Sequence, residues 1–191
     1  MNYHIALRGV LVIAYKDMRI YYRKAPVFIF GLILPTFLFF AFFVGRELDI
    51  ELYFPGFLAM SLFFTASSVG PIIIPWEKQA GTFERLLSYP ISVPILVLGD
   101  VLAGAVFGLM ISNLILVVGV IFLPLGIGAG LWWAIPIFFI LGNMCFAALG
   151  VLLSSPAGRV PANSMMLAAM VRFPLILISV IFIPLSQLSS A

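Results

Sequence analysis

The feature that most restricts this chain is where its charges are missing. Apolar runs extend over residues 26–44, 53–75, 95–124, 131–153 and 165–185, and Asp100 and Arg172 are the only ionisable side chains within them, tyrosine and cysteine aside. Each run is close to the ~20 residues that an α-helix needs to cross the hydrocarbon of a bilayer. Water-soluble domains carry about 25% charged residues. This chain of 191 residues has 9%, and 64% of it is hydrophobic. Its mean hydropathy is +1.24. No polar coat can be assembled from such a composition, so the solvent must be mostly lipid. The expected fold is all-α and integral to the membrane. It is a single transmembrane domain over residues 1–191, with five transmembrane helices behind an N-terminal interfacial amphipathic helix.

Residues 1–24 carry too many charges to span. Leu7, Val10, Leu11, Ala14, Met18 and Tyr21 recur on one helical face, with Arg8, Lys16, Arg19 and Arg23 near the opposite one. That pattern predicts a cytoplasmic helix lying in the interface, its basic side toward anionic headgroups. Lys16 and Asp17 interrupt the apolar stretch too early for a signal peptide. Pro35 is expected to kink the first span. The second is expected to run from about Tyr53 to Pro75, with Pro71 and Pro75 near its end, and Trp132 and Trp133 anchor the fourth at an interface. A Gly-rich turn at 126–130 and a short acidic loop at 46–51 join spans on the opposite side.

Basic residues fix an orientation. Arg8, Lys16, Arg19, Arg23 and Lys24 precede the first span, Lys78 and Arg85 follow the second, and Arg159 follows the fourth. Alternating spans place these eight on one side and only Arg46 on the other. The positive-inside rule makes the crowded side, with the N-terminus, cytoplasmic in a multi-pass cell-membrane protein. The formal net charge of +3 therefore reports topology and not a nucleic-acid partner.

One internal stretch differs from the rest: residues 76–94, W-E-K-Q-A-G-T-F-E-R-L-L-S-Y-P-I-S-V-P. Gly81 can open a turn, and Thr82 is the expected N-cap of a helix whose first turn holds Glu84, where a negative charge suits the helix dipole. Phe83, Leu86 and Leu87 follow at helical spacing, and Pro90 and Pro94 stop the helix. A short amphipathic helix on the cytoplasmic surface results, one that a soluble partner can push.

This segment resembles the coupling helix of type 2 ATP-binding-cassette transporter permeases, with a pattern of roughly E-x-x-x-G-T-x-E-x-L-L-x-x-P. Glu77, Gly81, Thr82, Glu84, Leu86, Leu87 and Pro90 stand at the matching positions. The stretch from Tyr15 to Pro26 is similar to the family's entry to span one. Ser179 to Leu188 is similar to the outer end of span five. The resemblance implies the membrane subunit of an exporter for a drug, lipid or lipid-linked substrate, paired with a second permease copy or homologue. It implies a separate ATPase, holding ATP and magnesium, docked on the coupling helix. Glu77, Gly81, Thr82, Glu84, Arg85, Leu86 and Leu87 would be contact or positioning residues. The family has six spans, so the last is expected to be missing here.

Other chemistry is excluded by what the chain lacks. There is no G-x-x-x-x-G-K-[ST], so ATP is not bound here through a P-loop. His4 is the only histidine, which leaves no histidine metal cluster and no His-based triad. A single cysteine, Cys145, rules out an intrachain disulfide. The chain is not expected to be an enzyme or to hold a metal. Four intramembrane polar residues stand out: Asp100 and Arg172, each near the cytoplasmic interface and able to pair or snorkel, and Asn113 and Asn143, expected to hydrogen-bond neighbouring helices. Gly104 and Gly108 form a G-x-x-x-G that allows close packing. An ion-coupled secondary transporter using Asp100 and Arg172, or a non-transporting membrane scaffold, are the alternatives.

Overall fold

The computed structural model describes residues 3–43, 50–89, 91–122, 134–156 and 158–178. Pro90, the acidic loop at 46–49, the Gly-rich turn, Trp132, Trp133 and the stretch from Ser179 lie outside them. The described residues form eight α-helices and one π-helical turn, with no strand among them: α1 (Tyr3–Tyr21), α2 (Ala25–Phe28), the π turn (Ile29–Ile33), α3 (Leu34–Phe43), α4 (Ile50–Ala80), α5 (Thr82–Ser88), α6 (Val93–Phe122), α7 (Ala134–Ser154) and α8 (Pro161–Ile178). Four of these, α4, α6, α7 and α8, are long and apolar enough to cross a membrane. The stretch Ala25–Leu38 is a shorter apolar helix. The expected first span is therefore present as a continuous helical stretch from Ala25 through the π turn to Phe43.

α4 is the axis of the molecule. In its most apolar window 89% of residues are buried, against 22–33% for α6, α7 and α8. α6, α7 and α8 pack around it, and α6 also carries α1 along its N-terminal part. The outward faces of α6, α7 and α8 remain apolar (Val117, Phe138, Met170), as lipid contact requires. The aromatic core beside α4 is built from Phe54, Phe57, Phe63 and Phe64, joined by Phe146 of α7 edge-on to Phe63 at 5.0 Å.

Small residues set the spacing of this bundle. Gly104 and Gly108 of α6 lie against Ala66 of α4 and Ala147 and Asn143 of α7, so the G-x-x-x-G seats neighbours within the chain. The α4–α7 crossing is tighter still. A Cβ on Gly150 would stand 2.6 Å from the Ser67 carbonyl oxygen, and one on Gly70 would stand 2.5 Å from the Val151 nitrogen. Backbone cannot yield as a side chain can, and lipid offers no hydrophobic drive to compensate for lost helix contact.

The second span departs from expectation. Pro71 and Pro75 do not end it; α4 runs on to Ala80 with both prolines inside. Each proline removes one i→i−4 hydrogen bond, and a buried helix tolerates that where neighbours supply another donor. In the first span, Pro35 is buried and closely follows the π turn. A π turn is another common cause of a local irregularity.

The Gly150–Ser67 approach gives a test. Gly150→Leu forces α7 away from α4, and overpacking of this kind costs about 1–3 kcal/mol. The purified Gly150→Leu protein should unfold at a lower temperature than wild type in a detergent thermal-shift assay. An unchanged midpoint would mean that the two helices are not in this contact.

Candidate functional site

α4 ends by a backbone device. Gly81 adopts φ 68°, ψ 14°, the left-handed conformation that stops helices at little cost only for glycine. Its amide donates to the Lys78 carbonyl, and α5 begins at the next residue in a new direction. Thr82 was expected to cap α5. Gly81 holds that position instead, and the Thr82 hydroxyl donates backwards to the Glu77 carbonyl at 3.3 Å. Thr82 therefore satisfies an orphan carbonyl at the end of α4, a need the sequence pattern did not reveal.

α5 has two faces. Phe83 and Leu86 pack on the cluster of Ile13, Ile95 and Leu96, which holds α5 against α1 and α6. Glu84, Arg85, Leu87, Ser88 and Tyr89 are exposed. Glu84 lies 3.8 Å from the Arg159 guanidinium in the segment before α8. Both side chains are well solvated, so this pair contributes little to stability. Sequence reasoning overlooked Arg159 and Tyr89 here, since nothing in local spacing links residue 84 to residue 159.

Glu77, assigned with the surface segment, sits elsewhere. It is in the last turns of α4, 3% exposed, and accepts a hydrogen bond from Lys16 of α1. Lys16 Nζ also lies 2.9 Å from Asp17 Oδ1. Asp17 and Asp100 are fully buried, and their carboxyls face one another across the α1–α6 contact. One ammonium thus serves a cluster of three acids. Burial pulls the Lys16 ammonium down, but Asp17 and Glu77 outweigh it and hold it above its ordinary value. Burial pushes the Asp17 carboxyl up against the pull of Lys16.

The cluster explains why α1 is rotated from the expected face. The packed stripe is Ala6, Val10, Ile13, Ala14, Asp17 and Tyr21, while Leu7 and Leu11 are exposed. Asp17 falls in register with Ile13, Ala14 and Tyr21, so the 3.6-residue period carried that signal. An acid within an apolar stripe was simply not counted as part of it.

Arg172 does not snorkel and does not meet Asp100. It is 3% exposed, and its guanidinium donates from α8 to the Ser67 carbonyl of α4. The acceptor has a physical origin. In an unbroken helix the Ser67 carbonyl would receive the amide of residue 71, and residue 71 is proline. The Arg172 side chain replaces the donor that Pro71 lacks. Asn143 is buried and donates to the Phe139 carbonyl within its own helix at 2.7 Å. Asn113 is exposed on the outward face of α6, so the expected bond to a neighbouring helix is not made among the described residues.

These features define a multi-pass helical membrane protein with a short surface helix set on the end of its central span. The ABC-2 type transporter family model matches residues 8–191, and the chain belongs to that family. It is therefore a membrane permease component of an ATP-binding-cassette transporter, and membership implies a partner ATP-binding subunit. No curated protein and no solved structure matches the chain.

The origin of the Arg172 contact can be tested by a mutant cycle. Arg172→Met orphans the Ser67 carbonyl, a loss of about 1–3 kcal/mol. Pro71→Ala restores the helical donor to that carbonyl. Added to Arg172→Met, it should recover more than half of the lost thermal stability of the purified protein. Equal losses from Arg172→Met in the wild-type and Pro71→Ala backgrounds would show that the arginine acts through something other than the freed carbonyl.

Proposed function

We propose that the chain is the membrane subunit of an exporter, and that α5 is the coupling helix on which a separate ATPase docks. ATP and magnesium are held by that ATPase, and two permease subunits, identical or homologous, form the pathway. The observation that supports this most is the Gly81 break. It sets an amphipathic surface helix directly on the end of the most buried span, so a push on α5 is delivered to the centre of the bundle. The exposed Glu84, Arg85 and Leu87 then offer the ATPase charge and apolar contact, while Leu86 and Phe83 transmit the load inward. Glu77, Gly81 and Thr82 act behind that surface, positioning it. The crowding of basic residues on this side supports a cytoplasmic N-terminus and a cytoplasmic α5.

A drug, lipid or lipid-linked substrate fits the apolar surfaces between the spans. The ion-coupled alternative loses support, because its two charges are engaged separately: Asp100 beside Asp17, and Arg172 on Ser67.

Glu84→Arg separates coupling from folding. Glu84 is solvated, and losing its favourable place near the start of α5 costs about 0.3–1 kcal/mol, too little to unfold a multi-span protein. Reversed charge at an interface costs several kcal/mol of binding. With the ATPase reconstituted, Glu84→Arg should lower substrate-stimulated ATP hydrolysis and transport at least tenfold, with unchanged membrane insertion. Wild-type stimulation in this variant would remove α5 from the mechanism.

A further inference from the structure

Behind α5 the packing is incomplete. A cavity of about 400 Å³ lies between the end of α4, the inner side of α5, the start of α6 and the end of α7. Phe83 and Leu87 roof it, Val97 and Val101 line one wall, and Val151 and Leu152 line another. Lys78 is the only charged residue in its lining among the described residues. The Lys78 ammonium stands over the Phe83 ring, 5.6 Å from its centroid, and has no carboxylate partner among the described residues.

We propose that this cavity binds an anionic phospholipid of the leaflet that α5 faces, with one acyl chain inside and the phosphate on Lys78. Three observations select that occupant. First, the walls are apolar and the rim residues Val93 and Leu152, on the spans α6 and α7, are exposed, so the opening faces hydrocarbon. Second, the cavity follows α6 from Val93 to Val101, about 12 Å of helix at 1.5 Å per residue, which suits the upper part of a chain running along the span. Third, the charge is complementary: a single unpaired ammonium and no acid in the lining. Basic pockets between spans on the cytoplasmic side are a known way to hold acidic headgroups. The nearby Lys16 and Arg159 are already engaged with Glu77 and Glu84, and Arg85 stands exposed on α5 outside the lining, so Lys78 is the cation that the cavity itself presents among the described residues.

The lipid would complete the support of α5. Phe83 and Leu87 would rest on a chain rather than a void, and lipid would thereby tune how stiffly α5 is joined to α4 and α6. This regulatory consequence rests on the coupling-helix reading, whereas the binding site stands on the cavity alone. Binding is therefore measured on the purified permease without an ATPase, so each idea can fail separately.

The test is native mass spectrometry of the full chain in detergent, titrated with dioleoylphosphatidylglycerol or dioleoylphosphatidylcholine. Wild type should retain one phosphatidylglycerol about fivefold more tightly than phosphatidylcholine, the preference expected of one lysine near the headgroup. Lys78→Gln should abolish the preference and leave chain binding in place. Val97→Phe, which fills the cavity, should remove the retained lipid of either class. Lys78 is partly exposed, so its substitution leaves the fold intact even if Val97→Phe does not. Equal retention of the two lipids by wild type would overturn the proposal, as would an unchanged preference in Lys78→Gln.

Discussion

A carbonyl that loses its amide partner inside a membrane has no water to turn to, and the architecture here depends on how one such carbonyl is satisfied. α4 is the helix around which α6, α7 and α8 gather, and Pro71 breaks its hydrogen-bond ladder at Ser67. Arg172 reaches from α8 to close the gap. The same place is where Gly70 and Gly150 let α7 approach most closely. A proline, an arginine and two glycines on three helices thus form a single joint. Each would be a liability elsewhere in a lipid-facing helix. Here each one answers a need created by another.

The end of the bundle that carries α1 and α5 is organised by charge. Asp17, Glu77 and Asp100 come from three different helices, and Lys16 is the cation that lets them share one buried volume. An isolated carboxylate in such a place would be too costly to keep. Gathered around an ammonium, the acids tie α1 to α4 and α6 and define the platform on which Phe83 and Leu86 seat α5. The platform is built close to where α4 ends, and Gly81 alone joins the surface helix to the central span.

Much of this was legible in the sequence. Long, nearly charge-free runs revealed the four helices long and apolar enough to span, because the hydrocarbon thickness sets a length that few soluble helices share. Gly104 and Gly108 revealed close packing, and Gly81 revealed the break before α5. What the sequence hid were interactions between distant residues. Pro71 and Pro75 read as a helix end, because the arginine that satisfies the freed carbonyl lies about a hundred residues away on another span. Glu77 read as a surface residue for the same reason: its partner, Lys16, is on α1. Asn113 and Asn143 look alike in sequence, yet one faces outward and the other inward, and only the packing of α6 and α7 decides which. Thr82 satisfied the N-cap pattern, yet its hydroxyl turned to an orphan carbonyl behind it.

The central claim is that α5 is the surface through which an ATPase acts on α4. It is tested most directly by site-specific photocrosslinking in intact cells, with p-benzoylphenylalanine placed at Glu84 or at Asn113. The account predicts an adduct from position 84 with a protein that mass spectrometry identifies as carrying a P-loop, and none from the outward-facing position 113. Adducts from position 84 with lipid alone, or equal P-loop adducts from both positions, would contradict it.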